Sequence, residues 1–289
     1  MGILHRVFSP AKINLFLKVL RKRDDGYHDI VSVMQPISLY DEIIVEMENG
    51  SGIIVSCDNA SIPCGRTNLA YRAAAEFFRT TGINMNLSIT IKKNIPVSAG
   101  LGGGSSNAAA VLKALNEITS QNISTGKLIE IGARIGSDVP FFIVGKPCIA
   151  RGRGESLEPI GLTKFWYILI NPGFPVSTQW AYQNLNLTNS NEDINITISK
   201  VLLEDTVGIQ HLQRLLSNDL EEVTIGKHPE IKEIKDTISA VGATGALMSG
   251  SGPTVFGIFP DKDKTEEAFG LLKGAFKQKR YTIFLAQGL

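Results

Sequence analysis

Residues 96–110 read Pro-Val-Ser-Ala-Gly-Leu-Gly-Gly-Gly-Ser-Ser-Asn-Ala-Ala-Ala, with four glycines among the five positions 100–104. Ordering glycine is entropically costly, so a run of this kind implies something gained in return. Without a Cβ the backbone can approach a ligand closely and turn several N–H groups toward one point. The alanine-rich continuation predicts a helix over about 105–117, whose unpaired N–H groups and dipole place roughly half a positive charge at its start. Ser105 and Ser106 add hydroxyls that can meet phosphate oxygens or a metal. An anion site at a helix start is the expected product, a plain strand-to-helix turn the alternative. A Walker A loop requires Gly-Lys-Ser/Thr, and no lysine follows these glycines. A dinucleotide G-x-G-x-x-G beginning at Gly100 requires glycine where Ser105 stands.

Around this loop, strands and helices alternate. β-branched alternation predicts strands at 13–19, 42–47, 52–56 and 85–92. A helix is predicted at 68–80, with Thr67 as N-cap and Gly82 as its stop, and another at 126–135. A second half opens with a strand at 166–170. A polar loop follows at 184–198, then helices at 201–203, 211–222 and 230–241. A Gly-rich turn, a strand at 254–259, a helix at 265–276 and a strand at 281–286 complete the chain. The mixture predicts an α+β protein of two domains, 1–158 and 159–289.

A net charge of +1 over 289 residues gives no electrostatic argument for nucleic acid or a membrane surface, and neither is expected as a partner. The three cysteines, Cys57, Cys64 and Cys148, suggest no disulfide framework or zinc site and fit a reducing compartment. Arg6, Lys12 and Lys18 interrupt the first residues, so no signal peptide is expected, and no apolar run reaches the ~20 residues that span a bilayer. The expected location is the cytoplasm, as a monomer or weak homodimer.

The loop resembles the phosphate loop of the GHMP kinases. Ser-Pro-Ala-Lys-Ile-Asn-Leu at 9–15 and Gly-Ala-Thr-Gly-Ala-Leu-Met-Ser-Gly-Ser-Gly-Pro-Thr at 242–254 agree with the same family. Asp-Gly-Tyr-His at 25–28 and Gly-Ser-Asp-Val-Pro-Phe-Phe at 136–142 are similar to the branch whose acceptor is a cytidine diphosphate-linked methylerythritol. All five segments come in the family's order across nearly the whole chain. The resemblance implies an N-terminal domain similar to the second domain of ribosomal protein S5 and a ferredoxin-like C-terminal domain. It also implies transfer of the ATP γ-phosphoryl group, with Mg2+, to the acceptor's 2-hydroxyl, a step toward isoprenoid precursors.

Carried over by motif, Asp138 is the catalytic carboxylate and Lys12 its cationic partner; a helix cap and an exposed pleat position are the bland alternatives. Opposite charges ~4 Å apart attract by about 4 kcal/mol at an effective dielectric of 20. Such a pair stays ionised, so positioning and charge stabilisation would supply most of the rate. For ATP, the resemblance assigns Pro96, Val97, Ser98, Ala99, Gly100, Leu101, Gly102, Gly103, Gly104, Ser105 and Ser106 to the phosphates, with Asn68 and Lys93 near the adenine. Lys93 reads equally well as a solvated charge at a strand end. For the acceptor it assigns Tyr27 and His28 to the cytosine and Asn14 to the reacting hydroxyl. Thr178 and Tyr182 would bring a second aromatic to the base, although Trp180 and Tyr182 could be helix core. The magnesium ligands are not identifiable beyond Ser105 or Ser106. Competing readings are a sibling kinase acting on mevalonate, homoserine or a sugar, and a binding module that kept the fold without the chemistry.

Overall fold

In β4 (Asn86–Lys92), Leu87, Ile89 and Ile91 are buried while Asn86, Ser88 and Thr90 between them stay half-exposed, as the alternating pattern predicts. Antiparallel pairing sets these three opposite Met47, Val45 and Ile43 of β2 (His28–Glu48). β3 (Gly52–Cys57) joins in parallel on the other side, Val55 against Ile89. A computed structural model describes residues 2–187 and 209–289. The expected helix at 201–203 and residues 188–198 of the expected loop lie outside the described residues.

The chain forms two compact units that are interleaved in sequence: Met1–Ala11, Leu39–Val97 and Gly102–Gly145 make one, Lys12–Ser38, Ser98–Leu101 and Lys146–Leu289 the other. Both β1 (Ile3–Lys22) and β2 contain residues of each unit. These strands are longer than the sequence pattern suggests, because Pro10 and Pro36 lie inside them rather than at their ends.

In the first unit, α1 (Leu69–Thr81), α2 (Gly103–Ile118), α3 (Thr125–Ile135) and α4 (Val139–Val144) pack together beside β3, β4 and the outer part of β2. Phe77 of α1 is fully buried, which contributes about 1.5–3 kcal/mol. The N-cap of α1 is Asn68 rather than Thr67: its Oδ1 accepts from the Ala70 N–H at 2.8 Å. Helix α4 escaped the sequence pattern because it is short and carries Pro140, which the first helical turn tolerates.

In the second unit, the inner parts of β1 and β2 pair with β8 (Ser217–Asn218) and β5 (Cys148–Gly152), and β6 (Ser156–Pro159) extends β5. Alongside lies an antiparallel sheet ordered β11-β7-β10-β9, formed by β7 (Trp166–Asn171), β9 (Gly245–Met248), β10 (Val255–Phe259) and β11 (Thr282–Gln287). With α8 (Glu230–Ala240) and α9 (Lys262–Ala275) between its strands in sequence, this is the ferredoxin-like β-α-β-β-α-β arrangement. Ile231, Ile234 and Ile238 of α8 and Leu272 of α9 share its core with Ile168 and Ile170. The expected turn after 242 contains β9. The expected helix at 211–222 is α6 (Ile209–Leu215) and α7 (Asp219–Lys227), separated because Asn218 pairs with Leu17 and caps α7 through the Leu220 N–H. The remaining helix is α5 (Thr178–Gln183). No described helix is long and apolar enough to cross a membrane.

Candidate active site

The glycine loop leaves β4 and reaches α2 through Ser98, Gly100 and Gly102, all at positive φ (51°, 77° and 71°). Helix α2 begins at Gly103, two residues before the predicted start, with Gly102 as an N-cap that offers no side chain. The first intrahelical bond runs from the Ser106 N–H to the Gly102 carbonyl at 2.9 Å. The N–H groups of Gly103, Gly104 and Ser105 therefore have no intrahelical partner, the arrangement that receives anions. The Ser106 hydroxyl is buried and has no partner among the described residues. A Cβ on Gly103 would lie 3.0 Å from Lys93 Nζ and 3.1 Å from the Ile95 side chain, so only glycine fits there without displacement.

Asp138, in the same unit, stands at the start of α4 without capping it. The turn leading to it runs beside the first turn of α2: a Cβ on Gly136 would sit 3.8 Å from Ser105 Oγ. Asn68 holds its own helix and donates Nδ2 to the Pro63 carbonyl at 2.8 Å, so its amide is engaged locally. Lys93 is not solvated: its side chain is 5% exposed and its ammonium pairs with the buried carboxylate of Asp41.

In the second unit Lys12 is buried, not on an exposed pleat. Lys12 and Asn14 share one face of β1, and Lys12 Nζ donates to Asn14 Oδ1 at 2.5 Å and to the Gly100 carbonyl at 2.8 Å. Asn14 Nδ2 donates to Ser32 Oγ at 2.8 Å, which fixes the amide orientation that presents oxygen to the lysine. Ser249 Oγ donates to the same Gly100 carbonyl at 3.0 Å. Gly250 packs so close that a Cβ there would meet Asn14 Oδ1 at 3.2 Å and Lys12 Nζ at 3.3 Å. Asn218, which no motif flagged, holds this turn by donating to the Met248 and Gly250 carbonyls at 2.8 and 2.7 Å. The predicted unbroken helix at 211–222 hides both its cap on α7 and its grip on a turn some thirty residues away.

The same unit holds the residues that the resemblance assigns to the cytosine. The Asp25–Tyr27 turn is fixed by Asp25 Oδ1, which accepts from the Tyr27 N–H at 3.1 Å, and by Arg23, which pairs with Asp25 and Asp29. Tyr27 is 52% exposed, with the Arg153 guanidinium 5.0 Å above its ring. His28 and Tyr182 stack on each other with centroids 4.9 Å apart and planes 25° from parallel. A base between those two rings would need them about 7 Å apart, so it meets an outer face or separates the pair. Thr178 Oγ1 lies 2.9 Å from Ser251 Oγ, tying α5 to the turn after β9. Trp180 is covered by Lys227, whose ammonium sits 4.2 Å from the ring centre.

Burial, followed by the charge of Lys22, pulls the His28 pKa below its ordinary 6.5. The unfolded chain therefore takes up this proton first as the pH falls, and stability declines from about pH 6.5 down to the folded-state pKa, below which the loss is complete. Melting temperatures at pH 7.5 and 5.5 should show a larger acid-induced drop in the wild type than in His28→Gln; equal drops would remove His28 from the account.

The model described as GHMP kinases N terminal domain matches residues 68–146, and that described as GHMP kinases C terminal matches 201–277. A protein of Syntrophus aciditrophicus (strain SB) named 4-diphosphocytidyl-2-C-methyl-D-erythritol kinase is 48% identical over 91% of this chain and 92% of its own length. A crystal structure of 4-(cytidine 5'-diphospho)-2C-methyl-D-erythritol kinase superposes with a TM-score of 0.80 at 33% identity, covering 99% of this chain and 100% of the other. Homoserine kinase from Cytophaga hutchinsonii shares the fold at a TM-score of 0.79 and 17% identity, covering 99% and 94%. The chain belongs to the GHMP kinase family, and its two-domain α+β architecture is that family's fold.

Proposed function

We propose that this chain transfers the γ-phosphoryl group of ATP to the 2-hydroxyl of 4-diphosphocytidyl-2-C-methyl-D-erythritol, in the cytoplasm, on the mevalonate-independent route to isoprenoid precursors. The observation that carries the kinase half is the glycine loop, which enters α2 with no side-chain cap and leaves the N–H groups of Gly103, Gly104 and Ser105 without an intrahelical partner. The acceptor rests on the names of the similar proteins and on the Asp25–His28 turn with its neighbouring aromatic residues. The two family-model matches fall on either side of residue 158, which supports a division of the family's domains at 1–158 and 159–289, although the compact units interleave across that point.

In this reading residues 96–106 hold the triphosphate and the segment around Asn68 and Lys93 flanks the adenine, both side chains acting as structure. Tyr27, His28 and Tyr182 receive the cytosine, and Thr178 secures the helix that carries Tyr182. The acceptor oxygen attacks the γ-phosphorus as the bond to the β–γ bridging oxygen breaks; ADP leaves and the hydroxyl proton passes to Asp138. Lys12, fixed by Asn14 and Gly100, supplies a rigid positive charge for the oxygens that gain charge. Phosphoryl transfer uses Mg2+, and the Ser105 and Ser106 hydroxyls are oxygen donors of the hard type it takes together with phosphate oxygens; bound there, it would neutralise charge on the β- and γ-oxygens.

Incubation with γ-labelled ATP and the cytidyl acceptor, alongside mevalonate and homoserine, tests the reading. Label should pass to the cytidyl alcohol and cytidine diphosphate should compete; preferential labelling of mevalonate or homoserine would contradict it. Lys12→Met should lower kcat by about 10²–10³-fold, as loss of one preorganised charge donor does, with a much smaller change in the KM for ATP. A kcat near that of the wild type would remove Lys12 from the reaction.

A further inference from the structure

Asp41 is absent from every motif above, yet its carboxylate is completely buried. Oδ1 accepts from the Asn94 and Ile95 N–H groups, both at 2.8 Å. Oδ2 accepts from Asn107 Nδ2 at 2.8 Å and from the Lys93 ammonium. Four donors saturate a carboxylate's acceptor sites, so none remains for a ligand. Asn107 donates its second amide hydrogen to Ser9 Oγ at 2.7 Å, which completes a buried polar network.

These partners lie on both sides of the glycine loop. Asn94 and Ile95 are the last residues before Pro96, and Asn107 lies in the second turn of α2. One carboxylate thus ties together the two ends of the segment 96–106. It also holds Lys93 at the spot where any side chain on Gly103 would collide, 3.0 Å from the ammonium.

We infer that Asp41 is a positioning residue for nucleotide binding: it clasps the strand exit to helix α2 and so presets the loop that receives the ATP phosphates. This rests on the kinase reading above. A loop set in its bound shape need not be ordered when the ligand arrives, so loosening it weakens binding even if every phosphate-facing group is intact. None of the Asp41 contacts reaches Tyr27, His28 or Tyr182. The effect is therefore confined to the nucleotide.

Asp41→Asn keeps the volume and one oxygen but turns an NH2 group toward two donors, Lys93 Nζ and Asn107 Nδ2. The double variant Asp41→Asn, Asn107→Asp returns one carboxylate, one amide and the bond between them, and leaves only the Lys93 contact unrestored. Steady-state kinetics and calorimetric titration of ADP on the 289-residue chain read the outcome. For Asp41→Asn we expect the KM for ATP and the Kd for ADP to rise about 10-fold or more, as for a lost hydrogen bond to a charged group, while the KM for the acceptor stays within about 2-fold. In the exchanged variant, ADP affinity should recover to within about 3-fold of wild type on the same scale. If the single variant does not fold, the exchanged one carries the test alone, and weakened ADP binding by it in the folded state overturns the proposal. Equal rises in both KM values, no change, or tighter ADP binding from the unbalanced Lys93 charge also overturn it. A wild-type chain that binds no ADP instead removes the kinase reading itself.

Discussion

Asp138→Asn should lower kcat by about 10³-fold, within the range spanned by general acid–base groups, and leave the affinity for ADP within about 3-fold of wild type. The substitution keeps the shape of the side chain and removes its ability to take the acceptor's proton. The helix should tolerate it, because the Asp138 side chain does not cap α4. A structural role would have predicted the opposite: loss of a cap costs about 0.5–2 kcal/mol of stability and little turnover. Stopped-flow or single-turnover kinetics at saturating ATP separates the two, since product release cannot then mask the chemical step. A variant that keeps a tenth or more of the wild-type rate would rule out Asp138 as the catalytic carboxylate.

Gly100→Ala should be among the most damaging single-methyl changes available in this chain. At φ +77°, a Cβ on residue 100 would lie 2.0 Å from the Ser249 carbonyl oxygen and 3.1 Å from the Gly252 nitrogen, so backbone must move. The Gly100 carbonyl is also the acceptor for both Lys12 Nζ and Ser249 Oγ, so that movement takes the lysine with it. Strain of this conformation alone costs of order 1–3 kcal/mol, and the overlap adds to it. The expected result is a loss of about 3 kcal/mol or more in chemical denaturation, which makes it one of the large single-site effects. The matched control is Gly126→Ala on α3, where nothing lies within 4 Å of the added methyl. That change should be neutral or stabilise by up to about 1 kcal/mol through helix propensity. Equal effects at the two positions would show that contact with Ser249 does not matter.

Sequence suffices where the cause of a structure is local. The alternation of β4 and the Gly82 stop of α1 depend on neighbours in the chain, and both are found. The full length of β1 and β2 is set by pairing partners far away, which carry Pro10 and Pro36 through positions a lone strand would not favour. Helix α2 begins at two glycines that propensity alone would leave in the loop. The same division holds in the candidate site. The glycine loop is visible as composition, and Lys12 and Asn14 enter through the motif at 9–15. The Asp41–Lys93 pair joins residues 52 positions apart, and Asn218 grips a turn 32 positions later. Neither contact has a sequence period, so Lys93 stood between an adenine neighbour and a solvated charge when it is a buried ion-pair partner. Stacking of His28 on Tyr182, 154 positions apart in sequence, is likewise a product of the fold, since the turn at 25–28 and helix α5 have no local reason to meet.

A crystal structure of the chain with a non-hydrolysable ATP analogue and the cytidyl acceptor examines the reaction where it happens. Backbone nitrogens of residues 100–106 should lie within hydrogen-bonding distance of the β- and γ-phosphate oxygens, with an Asp138 oxygen beside the acceptor's 2-hydroxyl. A triphosphate seated away from the start of α2, or an acceptor alcohol out of reach of Asp138, would contradict the account at its root.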